Sequence, residues 1–200
     1  FRFDGTVATA VSPDGRNEIR LWTNPLAYEV ARDGVIVAAK SAIGMKVDGT
    51  CLASRVPCRV RQEKKSGILE TPVYKKAKID LAANETVVDF GDWGVRLAAR
   101  NDGVAYRFET MREGTIRVDS EIGEVVVADC DSDCTVHLSK RCGCEENPAS
   151  FLKARDLVPP DGSPACLPIF LAAGGKSLVM TEADVCDYPV AYLARAKRDD

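Results

Sequence analysis

Two hundred residues with 46% hydrophobic and 28% charged side chains describe a foldable globular chain, not a disordered or fibrous one. A formal net charge of −3, with 27 basic residues scattered against 30 acidic ones, excludes the concentrated positive surface that a nucleic-acid binder needs. The single histidine excludes a site built from two, and no apolar run reaches the roughly 20 residues of a membrane span.

Apolar residues recur at every second position, the period of a strand with one buried face. Thr6–Val11 and Glu18–Trp22 read as strands joined by the turn Ser12-Pro13-Asp14-Gly15. Leu26–Ala31 and Val35–Ala39 are joined by Asp33-Gly34, and Asp48-Gly49 closes a further strand at Ala42–Val47. Residues 50–70 are polar, carry Cys51 and Cys58, and read as a long excursion; a local bridge between those two is one expectation among the roughly 105 full pairings that eight cysteines allow. The strongest hairpin follows. Trp93, Val95, Leu97 and Ala99 share one face, Asn101-Asp102-Gly103 turns the chain, and Val104, Tyr106 and Phe108 resume the apolar face. Positive φ is expected there at Asp102 and Gly103.

Ile116 and Val118 alternate with Arg117 and Asp119, Glu124–Ala128 continues as strand, and Pro168–Ala172 pairs with Ser177–Thr181 across Gly174-Gly175. Short strands separated by turns predict an all-β, antiparallel two-sheet sandwich with more than five strands in each sheet. Residues 129–166 break the pattern with five cysteines, four prolines and the one histidine. A long segment of this kind lines a site or meets a partner.

Zinc, disulfides and free or mixed thiols compete for those cysteines. Cys130, Cys134, His137, Cys142 and Cys144 are soft ligands within fifteen residues, as zinc requires, yet the spacing lacks paired C-x2-C knuckles. The even total of eight cysteines in loop-like stretches favours disulfides and an oxidising compartment, periplasmic or extracellular. His137 has no G-x-S-x-G elbow to serve, and Ala173-Gly174-Gly175-Lys176-Ser177 is a hairpin turn, not a phosphate loop opening a helix. Near the C-terminus, Glu182, Asp184 and Asp187 follow an apolar strand. Such oxygens either stay solvated or join the roughly six to eight that calcium takes, and composition alone favours solvation.

Asn101-Asp-Gly-Val-Ala-Tyr-Arg-Phe108 and Ser177-Leu-Val-Met-Thr-Glu-Ala-Asp-Val-Cys-Asp-Tyr-Pro189 resemble the N-terminal domain of glycoside hydrolase family 97. Val11-Ser-Pro-Asp-Gly15, Leu26-Ala-Tyr-Glu-Val30, Asp33-Gly34 and Ser41-Ala-Ile-Gly-Met45 are similar as well, in the expected order along almost the whole chain.

The resemblance implies a galactose-mutarotase-like sandwich over residues 1–200 that precedes a catalytic (β/α)8 barrel. It also implies an exported α-glucosidase or α-galactosidase with calcium at its active site, and Glu182 as a calcium ligand in the intact parent. The sandwich itself would carry no catalytic residue, acting on carbohydrate only through the parent enzyme. The opening at Phe1 rather than Met and the abrupt end fit a piece of a longer exported protein. Residues 129–166 depart from the family, because cysteines, charges and prolines stand where aromatic, sugar-facing residues are expected. The rival expectations are a free-standing carbohydrate-binding module, for which Trp22 and Trp93 are the only tryptophans, and a disulfide-stabilised structural or adhesion domain.

Overall fold

The computed structural model describes residues 5, 7–52, 57, 59–72, 75–130, 135–139, 149–153, 156, 165–183, 188 and 190–193. The fold is all-β and antiparallel, with no α-helix among the described residues. The chain divides into two compact units, Phe1–Val126 and Val127–Asp200.

In the first unit, β1 (Ala8–Val11), β2 (Asn17–Thr23), β3 (Leu26–Arg32) and β4 (Val35–Val47) form successive hairpins, and β5 (Thr50–Cys51) folds back on β4. Then come β6 (Arg59–Lys65), the small ribbon of β7 (Ile68–Glu70) and β8 (Lys78–Asp80), β9 (Ala83–Asp89), β10 (Trp93–Arg100) and β11 (Gly103–Thr110). β12 (Val118–Gly123) and β13 (Val126–Val127) return to β4. The result is a seven-stranded sheet, ordered β1-β2-β3-β4-β12 with β5 and β13 on β4, facing a four-stranded sheet ordered β11-β10-β9-β6. Among the described residues the second sheet is therefore smaller than the sequence predicts.

The alternation decides what lies between the sheets. Ala8, Ala10, Ile19, Leu21, Leu26, Tyr28 and Ile43 from one sheet meet Val88, Phe90, Trp93, Val95, Leu97 and Ala99 from the other. Aromatic rings run through this layer: Phe90 stacks on Trp93 at 4.1 Å, Trp93 meets Phe108 at 6.1 Å, and Tyr106 meets Tyr28 at 5.1 Å across the two sheets. Burial pushes the Tyr28 hydroxyl pKa up, and that hydroxyl donates to the Glu124 carbonyl at 2.9 Å.

Three features differ from the sequence reading. Val35–Ala39 and Ala42–Val47 are one 13-residue strand, β4, whose first part pairs with β3 through bulges and whose last part pairs with β12 and β5. The bulges shift the register with β3 without ending the strand, which passes directly from β3 at Ala42 to β12 at Ile43. Residues 59–65, read as part of an excursion, form β6, in register with β9 from Arg59↔Asp89 to Lys65↔Ala83. Finally, Arg100 pairs with Gly103, so the β10–β11 loop is Asn101-Asp102, with positive φ at neither Asp102 nor Gly103. The left-handed pair occurs at Asp33-Gly34 (50° and 78°) and at Asp48-Gly49 (49° and 78°).

In the second unit, β14 (Thr135–Ser139), β15 (Ala149–Lys153), β17 (Ile169–Ala173) and β18 (Lys176–Met180) form a sheet ordered β15-β14-β17-β18, and β16 (Ala165–Cys166) pairs with β19 (Tyr192–Leu193). The β17–β18 hairpin turns on Gly174 and Gly175, both at positive φ, as the sequence predicts.

Outside the four-stranded sheet, Arg96 of β10 joins carboxylates from three neighbours. It reaches Glu109 of β11 at 2.6 Å, Glu85 of β9 at 2.6 Å and Glu63 of β6 at 2.9 Å. Hydrogen bonds from Arg61 and then Arg96 hold the Glu63 carboxyl down to about 2 from its usual 4.5. Burial pushes Glu109 up, but hydrogen bonds from Arg96 and Arg107 leave it lowered. Lowered carboxyls stabilise the fold above their unfolded pKa, and that contribution disappears as the pH falls through the folded value. Arg96→Ala should cost about 2 kcal/mol in urea unfolding at pH 7, because it leaves three carboxylates crowded together. The wild-type chain should lose stability between pH 5 and pH 2, and the variant should show a shallower loss across that window.

Candidate functional site

Apart from residues 177–189, which lie in the second unit, the segments that carry the family resemblance fall in the first unit, and most of them build turns. The Ser12 hydroxyl donates to Asp14 Oδ1 at 2.6 Å, and the Asp14 amide donates to Asn101 Oδ1 at 3.0 Å. Buried Asn17 donates through Nδ2 to the carbonyls of Arg100 and Asn101, and its Oδ1 accepts from Arg32 at 2.6 Å. Arg16 grips Asp33 with two parallel bonds of 2.8 and 2.9 Å. Ser41, fully buried, donates to the Ala39 carbonyl and accepts from the Val126 amide at 2.9 Å. These side chains satisfy backbone groups at strand ends and offer no nucleophile or acid–base pair. Asn17→Ala should lower stability by roughly 2 kcal/mol in denaturant titration, since it orphans two carbonyls and a guanidinium.

Glu182 is of a different kind. It lies just past β18, half-buried, and its Oε2 accepts from the Ala191 amide at 2.9 Å. That bond fixes the carboxylate against the following segment and makes it a hard oxygen donor of set orientation. Asp184 and Asp187, the other carboxylates expected here, lie outside the described residues. Among the described residues no three His, Cys, Asp or Glu side chains gather into a metal-holding group. Among the described residues Glu182 is thus a single hard oxygen donor of the type calcium takes, against the roughly six to eight that the ion needs.

Of the soft-ligand set, Cys134, Cys142 and Cys144 lie outside the described residues. Cys130 is a free, half-buried thiol, and His137 sits within β14, paired with Phe151 and Phe170. Cys166 is disulfide-bonded. Cys51 is a free, exposed thiol on β5 opposite Lys46, so the expected Cys51–Cys58 bridge does not form. The Gly174-Gly175-Lys176 turn is anchored by an ion pair from Lys176 to Asp129, as befits a hairpin and not a phosphate cradle. Trp22 and Trp93 are both buried, Trp93 within the core and Trp22 beneath the Lys40 ammonium, so neither presents a face to a sugar ring.

Residues 10–200 match the family described as "Glycosyl-hydrolase 97 N-terminal". The chain belongs to that family. It is 24% identical over 201 residues to a retaining alpha-galactosidase of Bacteroides thetaiotaomicron, an alignment covering 94% of this chain and 30% of that protein. The fold is similar to that of a glycoside hydrolase family 97 enzyme from Pseudoalteromonas sp. strain K8 solved with acarbose, with a TM-score of 0.79 at 19% identity. It is also similar to a beta-arabinopyranosidase, with a TM-score of 0.77 at 16% identity. The present chain covers 30% and 32% of those two structures and 95% and 90% of itself. It thus spans about a third of the length of the enzymes it matches, aligned with most of itself. The family's N-terminal sandwich accounts for the turn-locking residues above; Glu182 is the candidate that the turns do not explain.

The sequence reading missed the apolar row on β15, β17 and β18, although a signal was present. Phe170 and Val179 occupy the alternate positions to Leu171 and Leu178, so both strands are apolar on both faces. Alkylation of the native protein without reductant, followed by peptide mapping, should modify the Cys51 peptide rapidly and the Cys130 peptide more slowly.

Proposed function

We propose that this chain is the non-catalytic N-terminal sandwich of an exported glycoside hydrolase, packing on a (β/α)8 catalytic barrel of the same polypeptide. The observation that carries this reading is a family match over residues 10–200 to the N-terminal part of enzymes about three times as long. A catalytic pair of carboxylates would lie on the barrel, and the parent's substrate class is an α-glucoside or α-galactoside. The relatives' own names, a retaining alpha-galactosidase and an enzyme solved with acarbose, support that class. The sandwich forms one wall of the active-site pocket and contributes Glu182 to a calcium site completed by the barrel. Calcium bound there supplies Lewis-acid polarisation and a fixed template for the sugar. The Ala191 amide keeps the Glu182 carboxylate in one orientation for that contact. Disulfides elsewhere among the eight cysteines suit a periplasmic or extracellular protein.

Coding sequence downstream of Asp200 should encode the barrel. In the parent enzyme, Glu182→Gln keeps the acceptor for Ala191 but removes the charge. It should raise the calcium concentration for half-maximal activity by at least about tenfold. An unchanged calcium requirement removes the role assigned to Glu182.

A further inference from the structure

The second unit's sheet has two different faces, and the register defines both. Leu152, Val136, Leu171 and Leu178 are cross-strand neighbours in one row, with Val136 and Leu171 buried. One residue along, Phe151 of β15 and the neighbouring pair Phe170 of β17 and Val179 of β18 stand on the opposite face, on either side of β14. Phe151 is 70% exposed, Val179 62% and Phe170 36%. Strands lie about 4.8 Å apart, so this outer row runs some 14 Å from β15 to β18. Lys153 and Ser177, two residues along from Phe151 and Val179, give it a polar margin.

We infer that this face is where the sandwich docks on the remainder of its own polypeptide. The inference rests on the function proposed above and names the surface involved. Exposed apolar side chains beside a polar margin are a feature of protein–protein contacts. The aligned relatives extend for more than twice this chain's length beyond it, so a large body of protein is available to cover the row. A sugar is a poorer occupant, because the row ends in the aliphatic Val179 and holds no tryptophan or tyrosine. Placement favours the same partner. Glu182 follows Val179 by three residues, a reach of about 10 Å, so a domain seated on the row also meets the carboxylate assigned to the shared calcium site.

Hydroxyl-radical footprinting of the full parent polypeptide tests this, with the same polypeptide in denaturant as reference. Phe151 and Phe170 should be protected about tenfold or more, at every protein concentration and without added sugar. In the parent, Phe151→Lys combined with Val179→Lys should speed tryptic release of the sandwich several-fold, while the conservative Phe151→Leu with Val179→Ile leaves it unchanged. Protection near unity in a two-domain parent overturns this inference and leaves the proposed function standing. Protection that appears only as concentration rises assigns the face to a second copy, and protection that appears only with added panose assigns it to carbohydrate; either result overturns it too. A coding sequence with no downstream domain removes the proposed function and this inference together.

Discussion

Strand β10 buries Trp93, Val95, Leu97 and Ala99 on one face and carries Arg96 on the other, and the first unit is organised around that alternation. On the inner face the constraint is packing. Trp93 sits between Phe90 and Phe108, and the aromatic chain continues to Tyr106 and Tyr28, coupling one sheet to the other. On the outer face the constraint is charge. The Arg96 side chain is 16% exposed and Glu85 and Glu109 are 15% exposed, with fully buried Val87 opposite Arg96 on β9. Ions so largely removed from water remain charged only because they satisfy one another. A guanidinium can do this for three carboxylates because its donors fan out in a plane, whereas a lysine ammonium would act as a single point charge.

That charged face explains why β6 was hidden in the sequence. Arg59-Val-Arg-Gln-Glu-Lys-Lys65 shows almost no apolar alternation, since it is an edge strand held by backbone pairing to β9 and by the Glu63–Arg96 contact. Its charges also discourage further strands from adding to the edge. Strands with one face in the core were legible because burial writes a period of two into the sequence, and β2, β3, β10, β11, β17 and β18 appear within a few residues of their expected positions. Strand β4 was read as two because its pattern slips at Ala39-Lys40, where a bulge interrupts its pairing with β3 before that pairing resumes at Ser41 and Ala42. The Asn101-Asp102 turn was misplaced by one residue because Asp-Gly is the stronger turn signal, while the register pairs Arg100 with Gly103.

The segments that made the family recognisable are for the most part structural. Ser12, Asp14, Asn17 and Asn101 come from hairpins more than eighty residues apart in sequence and meet as one hydrogen-bonded group. Such residues are constrained because every buried backbone group needs a partner, and a short polar side chain at a turn supplies one without lengthening the loop. They reveal lineage and fold while saying little about chemistry. Glu182 could be singled out only through the resemblance. A metal site shared between parts of a protein leaves each part with too few ligands to form a recognisable cluster, and one carboxylate past a strand has the same local sequence whether it meets water or calcium.

The second unit carries the same logic one step further. A sheet with one face to water alternates apolar and polar residues, whereas a sheet covered on both faces reads as a continuous apolar run. Ile169-Phe-Leu-Ala-Ala173 and Leu178-Val-Met180 are runs of the second kind, and among the described residues the Ile169, Leu171 and Ala173 side of β17 is buried while Phe170 and Val179 are exposed. The outer row would be an aggregation hazard on a free-standing domain, and natural sheets carry charges or prolines to blunt such faces. Here Phe151, Phe170 and Val179 carry no charge, and Lys153 stands beside them. A surface of this kind suits a lasting cover better than open solvent.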